Sequence, residues 1–311
     1  MKRVLRISGI VILVLIALIV IGIILLFVIS AVKPMVPAKY TDSVVTGGKI
    51  EAEYLKNGTY DIEYLEVGAP QNFKKYEIWY PAELLNSNKK FPVIIVSNGT
   101  GVKASKAKAM FEHFASWGFI TVGTEEEYSW NGFSAEMSLN YLLKCNDDSE
   151  SIFYQKIDTD NIGSVGHSQG GVGAINAVTD TKHSNLYKTV VAESPANIEL
   201  AESLEWDSDI SKVNIPILLV AGTGKVDSQT IIPIDKLNEM YDLVTQAPIK
   251  VMARRNGLDH GEILYSVDGY VTAWFMWQLQ GDNEAAKAFI GDAPELNNND
   301  LYVDIKIDVT G

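Results

Sequence analysis

The chain has 311 residues, of which 47% are hydrophobic and 21% charged, and its formal net charge at pH 7 is −13. A surplus of carboxylates of this size repels the phosphate backbone of nucleic acids, so DNA and RNA are excluded as partners. The single cysteine, Cys145, excludes an internal disulfide and any metal site built from several cysteines.

The chain begins with a long apolar segment. Residues 7–32 contain no charged side chain, and a helix of this length spans a hydrocarbon core of about 30 Å. A cleavable signal peptide has a shorter apolar region, about 7–15 residues long, and a small-residue cleavage site, of which there is no convincing example here. We therefore predict an uncleaved transmembrane helix rather than a cleaved leader. Residues 1–32 are assigned to a cytoplasmic tip and this membrane anchor.

Three cations, Lys2, Arg3 and Arg6, precede the apolar segment. By the positive-inside rule this end stays in the cytoplasm, which predicts that the rest of the chain is extracytoplasmic at the cell membrane. Residues 33–58 begin with two closely spaced prolines. We predict an extended spacer there.

From residue 59 onward, short apolar or alternating runs are separated by helix-like stretches. The first two runs alternate and predict a β-hairpin, while most later runs are almost wholly apolar, as in strands buried on both faces. The eight predicted strands cover 59–67, 74–81, 91–99, 119–125, 161–165, 189–195, 215–224 and 248–256. This alternation predicts an α/β domain with a mostly parallel sheet and helices on both faces.

The pattern leaves two segments open. Residues 282–311 form a C-terminal extension, in which 303–309 alternate as in an edge strand but are also compatible with a loose tail. Residues 196–214 are acidic and poorly periodic. They would form either a small lid over a site or a surface connection, and we favour the connection.

The most informative motif is Gly166-His167-Ser168-Gln169-Gly170, which matches G-x-S-x-G. It lies between a predicted strand and a helix start, where a tight turn strains the serine backbone and small neighbours prevent clashes. Such a turn exposes the hydroxyl at the edge of the sheet and places the next amide at a helix N-terminus. We therefore predict that Ser168 is a nucleophile, against the alternative of a glycine-rich turn without chemistry.

In this motif and three others the sequence resembles the α/β-hydrolase superfamily, and more narrowly its dienelactone-hydrolase-like, cutinase-like and bacterial polyester-hydrolase members. The four motifs are GHSQGG at 166–171, SNGTGV at 97–102, GTGKVD at 222–227 and DHGE at 259–262. The resemblance implies the α/β-hydrolase fold over residues 59–281. It also implies two edge strands followed by six strands that alternate with helices, and the activity of a serine esterase.

A serine hydroxyl needs a base, and the chain offers four histidines. His167 adjoins the nucleophile, and its side chain should point away from the hydroxyl. His113 lies in an early helix, and His183 follows the helix after the nucleophile at the opposite edge of the sheet. His260 follows the last strand, where the superfamily has its base, so we assign the base to His260.

The resemblance also implies a carboxylate after the seventh strand, which would fix the tautomer of the imidazole. Asp227 is the only carboxylate in the loop 222–233. The chain order Ser168, Asp227, His260 is that of the superfamily. Two alternatives stay open. Asp227 could instead cap a turn or helix, and Glu193, after the sixth strand, could instead be the acid.

Two backbone amides are needed for a developing oxyanion. The N–H of Gln169, next to the nucleophile, is the first. For the second, in the glycine-containing loop after the third strand, we choose Thr100, with Gly101 as the alternative. Tyr128 and Trp130 follow the fourth strand. Because Trp130 and the two residues after it resemble an aromatic clamp of polyester hydrolases, we predict that both aromatics line the substrate pocket, with core packing as the alternative.

The predicted function is hydrolysis of small-molecule or polymeric carboxylic esters through an acyl-enzyme on Ser168, with the membrane as a partner through residues 7–32. This mechanism requires neither a metal ion nor an organic cofactor. Two alternatives stay open, namely acyl transfer or amide cleavage by the same triad, and a hydrolase-fold surface protein that only binds. Competent residues at all three triad positions argue against the second alternative.

Overall fold

Nine strands form one sheet within residues 33–309, the part of the chain that this computed structural model describes. The strands are β1 (Ile62–Gly68), β2 (Lys75–Pro81), β3 (Phe91–Ser97), β4 (Ile120–Thr124), β5 (Ile157–His167), β6 (Tyr187–Glu193), β7 (Ile217–Gly222), β8 (Ile249–Arg255) and β9 (Tyr302–Val309). Their spatial order is β1-β2-β4-β3-β5-β6-β7-β8-β9. Strands β3 to β8 pair with one another in parallel. At the edges of the sheet the pairs are antiparallel: β1 with β2, β2 with β4, and β9 with β8.

The mixed sheet agrees with the predicted α/β class, but the predicted number of eight strands is wrong by one. The ninth strand pairs antiparallel with β8 and belongs to the segment that the sequence left open. Its residues are mostly half-buried or exposed, whereas all seven residues of β3 are buried. An edge strand with one face in water therefore gives a weaker apolar signal than a central strand.

Helices cover both faces of the sheet. They are α1 (Tyr40–Ser43), α2 (Lys49–Leu55), α3 (Lys108–Ser116), α4 (Phe133–Asp147), α5 (Gln169–Thr179), α6 (Ile198–Ser203), α7 (Ile234–Leu243), α8 (His260–Ser266), α9 (Asp268–Gln280) and α10 (Asn283–Ala286). Successive residues of β3 enter different apolar layers, with Val93 and Ile95 in one layer and Ile94 and Val96 in the other. This period of two shows that a separate core fills each face of the sheet.

The extended spacer predicted over 33–58 is wrong for most of its length, because the compact unit already begins at Val36. Tyr40 and Tyr54 are buried. The hydroxyl of Tyr40 donates to the carboxylate of Asp268, and that of Tyr54 donates to Asp282 Oδ2 over 2.6 Å. These buried tyrosines hold the segment against the domain. Because they are few and widely spaced, they produce no periodic apolar pattern in the sequence, and the two prolines suggested an extended chain instead.

The predicted transmembrane helix at 7–32 lies outside the described residues. Within 33–309, no helix combines the length and the apolar character that crossing a bilayer requires.

Candidate active site

Ser168 lies at the sharp turn between β5 and α5, with φ of 61° and ψ of −123°. Residues with a side chain rarely adopt this positive φ. A Cβ atom at Gly166 would lie 1.9 Å from the carbonyl oxygen of Gly170, and one at Gly170 would lie 2.1 Å from that of Ser97. Only glycine fits at these two positions. The turn places the serine at the carboxyl edge of the parallel strands, where α/β folds bind their ligands.

The structure brings Ser168, Asp227 and His260 together. His260 Nε2 lies 2.9 Å from Ser168 Oγ, and His260 Nδ1 lies 2.6 Å from Asp227 Oδ1. Because an ionised carboxylate can only accept, Nδ1 carries the proton of the neutral ring, and Nε2 is free to accept the proton of the hydroxyl. The imidazole side chain keeps 19% of its surface exposed, so solvent can reach the base.

Asp227 begins a short helical turn after β7 and is buried. Its Oδ2 accepts hydrogen bonds from Ser194 Oγ over 2.6 Å and from the N–H of Gly222 over 2.7 Å. Burial alone would raise the pKa of Asp227, but the hydrogen bonds from His260 and Ser194 outweigh it and lower the pKa below the ordinary value. The carboxylate is therefore ionised at neutral pH, and it can orient and stabilise an imidazolium.

Two other carboxylates near this group have different contacts. Asp259 Oδ1 accepts from the N–H groups of Val226 and His260, each over 2.8 Å, and so ties the loop after β7 to the start of α8. The sequence motifs did not reveal this contact. The side chain of Glu193 is buried, and burial raises its pKa well above the ordinary value. Since His260 Nδ1 is engaged by Asp227, Glu193 does not occupy the position of the acid.

Two amides are predicted to bind the oxyanion. That of Gln169 begins helix α5, and that of Thr100 lies in the loop after β3. The N–H of Gln169 is among the first of α5, which have no acceptor inside the helix. The N–H of Gly101 donates to the carbonyl of Glu127 over 3.0 Å, which argues against Gly101, whereas that of Thr100 has no hydrogen bond within residues 33–309. A Cβ atom on Gly99 would lie 3.6 Å from the Cβ atom of the nucleophile. The loop therefore runs beside the serine, and Thr100 stays the candidate for the second amide.

His167 also contacts the base, His260, and the sequence did not predict this contact. Its Nε2 lies 2.7 Å from the carbonyl oxygen of His260 and donates to it, and the two imidazole rings lie 4.5 Å apart at 37°. Burial and the proximity of His260 lower the pKa of His167 to about 4. A neutral ring therefore packs against the base and holds its backbone. The motif shows that a histidine precedes the serine, but only the fold shows that this histidine contacts the loop of His260.

The two aromatic residues predicted to line the substrate pocket lie in different surroundings. Tyr128 is 60% exposed on the surface. Trp130 is half-buried and lines a cavity of about 470 Å³ that Trp206 also lines. One wall of this cavity comes from 196–212, within the segment that we interpreted as a surface connection. That segment therefore does more than join β6 to β7.

The topology of the sheet and the order of the three residues along the chain place this protein among the serine hydrolases of the α/β-hydrolase fold. Residues 45–301 match a family described as "PETase: PET hydrolase-like". The chain belongs to this family of polyester hydrolases in the α/β-hydrolase superfamily, as the resemblance in its motifs indicated. Membership of this family supports the assignment of the chain as an ester-cleaving serine hydrolase. No curated protein matches the chain.

Proposed function

We propose that this chain is a membrane-anchored, extracytoplasmic serine hydrolase of the carboxylesterase, lipase and cutinase type, which cleaves carboxylic esters through an acyl-enzyme on Ser168. The observation that carries the proposal is the unbroken series of contacts from Asp227 through His260 to Ser168, with distances of 2.6 and 2.9 Å. Both distances are within the reach of proton transfer. The family description names a PET hydrolase, which supports an ester, including a polyester, as the substrate.

In this mechanism His260 Nε2 takes the proton of Ser168 Oγ as the oxygen attacks the ester carbonyl carbon. The carbonyl oxygen becomes an oxyanion that accepts from the N–H groups of Gln169 and Thr100, and each such donor typically contributes about 3–4 kcal/mol to the transition state. Asp227 stabilises the imidazolium. The imidazolium then protonates the leaving alcohol oxygen, and the carbon–oxygen bond to the alcohol breaks.

The acyl-enzyme is hydrolysed by the same groups. His260 removes a proton from water, the water oxygen attacks the acyl carbon, and the proton passes to Ser168 Oγ as the carboxylic acid leaves. Water is the acceptor in this proposal. Transfer to an alcohol would instead yield a new ester, which product analysis in the presence of added alcohols detects.

A fluorophosphonate probe tests the nucleophile on the full-length chain. We expect the probe to label Ser168 in the wild type and in the control Ser203→Ala, whose exposed hydroxyl lies in α6, but not in Ser168→Ala. The same variant should lose activity on p-nitrophenyl esters by about a millionfold, because the triad acts as a unit. Labelling that persists in Ser168→Ala, or a loss of only tenfold, would contradict the proposal. Esters of graded acyl length then separate a short-chain esterase from a lipase.

The proposed anchor rests on the uncharged segment 7–32 and the three cations before it. Cell fractionation should find the full chain in membranes that resist carbonate washing, and a chain without residues 1–32 in the soluble fraction. Protease added to intact cells should digest the hydrolase domain. Protection of this domain from added protease would contradict the extracytoplasmic orientation.

A further inference from the structure

The carboxyl group of Glu193 is buried at the end of β6, and this side chain forms no hydrogen bond within residues 33–309. The backbone of the same residue takes part in the site, because its carbonyl oxygen accepts from the N–H of Ser168 over 2.9 Å. A buried polar group without a partner is unfavourable. A carboxyl group of this kind, directly beside the nucleophile, is therefore a candidate for a further role.

Glu193 and His167 are neighbours in the sheet. They are paired in register on the parallel strands β6 and β5, so their side chains lie on the same face and their backbones are about 5 Å apart. Val191 and Val165, each two residues earlier, belong to the same apolar layer. The carboxyl group of Glu193 is therefore directed into the same layer as the imidazole of His167.

A small cavity of about 20 Å³ is lined by both of these side chains. Most of the other lining residues are apolar, among them Met110 of α3 and Leu264 of α8. A buried water molecule needs about 10–15 Å³ and at least two polar partners. The cavity therefore fits one water molecule, with Glu193 and His167 as polar partners.

The second nitrogen of His167 can bind such a water. Because Nε2 donates to the carbonyl oxygen of His260, Nδ1 of the neutral ring carries a lone pair and can only accept. Nδ1 has no hydrogen bond within the described part of the chain, and a Cβ atom on Gly99, which lines the cavity, would lie 3.7 Å from it. Burial and then the charge of Asp268 raise the pKa of Glu193 well above its ordinary value. Its carboxyl group is therefore neutral at pH 7 and has one O–H to donate.

We propose that Glu193 is a positioning residue that holds His167, and through it the base His260, by way of one water molecule in this cavity. The O–H of Glu193 donates to the water oxygen, and the water donates to Nδ1 of His167. The ring is then fixed on both sides, since its Nε2–H is bound to the carbonyl oxygen of His260. This inference rests on the proposed ester hydrolysis at Ser168, and it gives a role to a carboxyl group that is not the acid of the triad.

Two variants of Glu193 separate a neutral donor from an ionised acid. Glu193→Gln keeps an uncharged donor for the water, whereas Glu193→Met replaces the carboxyl group by an apolar one. We expect Glu193→Met to lower kcat on p-nitrophenyl acetate by about tenfold with little change in KM, because the base is less well held. Glu193→Gln should retain kcat within about twofold. A loss in Glu193→Gln as large as that in Glu193→Met, or no loss in Glu193→Met, would overturn the inference.

Met110→Leu is the matched control, because it changes the wall of the same cavity without removing a polar group. Its kcat should stay within about twofold of the wild type. Glu193→Leu is a second apolar variant, which replaces Glu193→Met if that chain does not fold, and thermal unfolding checks the folding of each variant. A loss of kcat in Met110→Leu equal to that of the apolar variants would overturn the inference, since packing alone would then explain it.

The hydrogen bond itself is measured in ¹⁵N spectra of the full-length chain labelled at its four histidines. The signals of His167 are those that His167→Gln removes. In the wild type and in Glu193→Gln, we expect Nδ1 of His167 to have the chemical shift of an unprotonated nitrogen that accepts a hydrogen bond. In Glu193→Met it should move to the shift of a nitrogen with a free lone pair. An unchanged signal in Glu193→Met would overturn the inference.

The two readouts also separate this inference from the proposed function. If p-nitrophenyl acetate is cleaved but Glu193→Met matches the wild type in rate and spectrum, the positioning role fails and the hydrolase stands. If the wild type cleaves no ester, the proposed function fails, and the spectra still show whether Glu193 holds His167.

Discussion

Two histidine–aspartate pairs of this molecule have similar chemistry and different surroundings. Nδ1 of His260 lies 2.6 Å from Asp227 at the carboxyl edge of the sheet, and Nδ1 of His113 lies 2.9 Å from Asp268 between α3 and α9. The two pairs differ at the other ring nitrogen. Nε2 of His260 faces the hydroxyl of Ser168, whereas Nε2 of His113 lies 2.9 Å from the carbonyl oxygen of Lys56.

A carbonyl oxygen can only accept, so both nitrogens of His113 donate and the ring holds both protons. Burial lowers the pKa of His113, but the charge and hydrogen bond of Asp268 outweigh burial and raise it overall. The side chain of His113 is 0% exposed, against 19% for His260. A histidine–aspartate pair is therefore a candidate base only if its free nitrogen faces a proton that can be moved. The pair at His113 stabilises the fold instead, since Tyr40 also donates to Asp268.

The largest expected difference between the pairs is in catalysis. Asp227→Asn should lower kcat by about 10⁴-fold, because the amide no longer fixes the productive tautomer of His260. The matched change in the other pair, Asp268→Asn, should leave kcat of the folded enzyme within about threefold, since that pair lies away from the reacting atoms. Steady-state kinetics on p-nitrophenyl esters measures both variants. Similar losses of kcat in the two would contradict the distinction between them.

The next effect is on stability. His113→Gln leaves the carboxylate of Asp268 without its cation, so the free energy of unfolding in urea should fall by about 3–5 kcal/mol. His183→Gln is the control, because the pair of His183 with Glu136 is partly exposed and should contribute about 1 kcal/mol or less. A loss no larger than that of the control would show that the His113 pair does not anchor the fold.

The sign of the pH dependence follows from the raised pKa of His113. The unfolded state loses its proton near the ordinary pKa of 6.5, while the folded state keeps it to higher pH. The stabilisation by this pair is therefore fully present below pH 6.5 and is lost as the pH rises through the folded pKa.

The smallest of these effects concerns His167, whose pKa changes in the opposite direction. Between its ordinary pKa of 6.5 and its folded pKa of about 4, the unfolded state binds a proton that the folded state excludes. Acidification over this range should therefore remove about 3 kcal/mol of stability in the wild type, and His167→Gln should lack this loss. Urea unfolding at pH 7, 5.5 and 4 measures the difference, and parallel pH profiles for the two chains would contradict it.

The site residues differ in how far the sequence could predict them. The turn around Ser168 is contiguous, and local sterics at Gly166 and Gly170 dictate its composition, so the motif could be interpreted directly. Asp227 and His260 lie far from it along the chain, and their assignment needed the superfamily order as well. The contacts of His167 and Asp259 depend on which loops meet in space, and no motif encodes them.

The strands were predictable where their apolar residues follow a regular pattern, whether the strand is fully buried, as β3 is, or half-exposed, as β1 is. The central strands gave continuous apolar runs, whereas Tyr302–Val309 and the segment from Val36 to Leu55 gave weak patterns. The cavity beside helix α5 is lined by four segments distant in sequence, around Trp130, Val172, Ala201 and Met240. No single stretch of sequence predicts it.

Trapping the acyl-enzyme tests the central claim most directly. The full-length chain is mixed with a p-nitrophenyl ester and quenched in acid within the first turnover, and the peptide that contains Ser168 is weighed by mass spectrometry. We predict that this peptide gains the mass of one acyl group in the wild type, and that a burst of about one p-nitrophenol per chain accompanies it. An acyl group on any other residue, or continued ester hydrolysis by Ser168→Ala at the wild-type rate, would contradict the account.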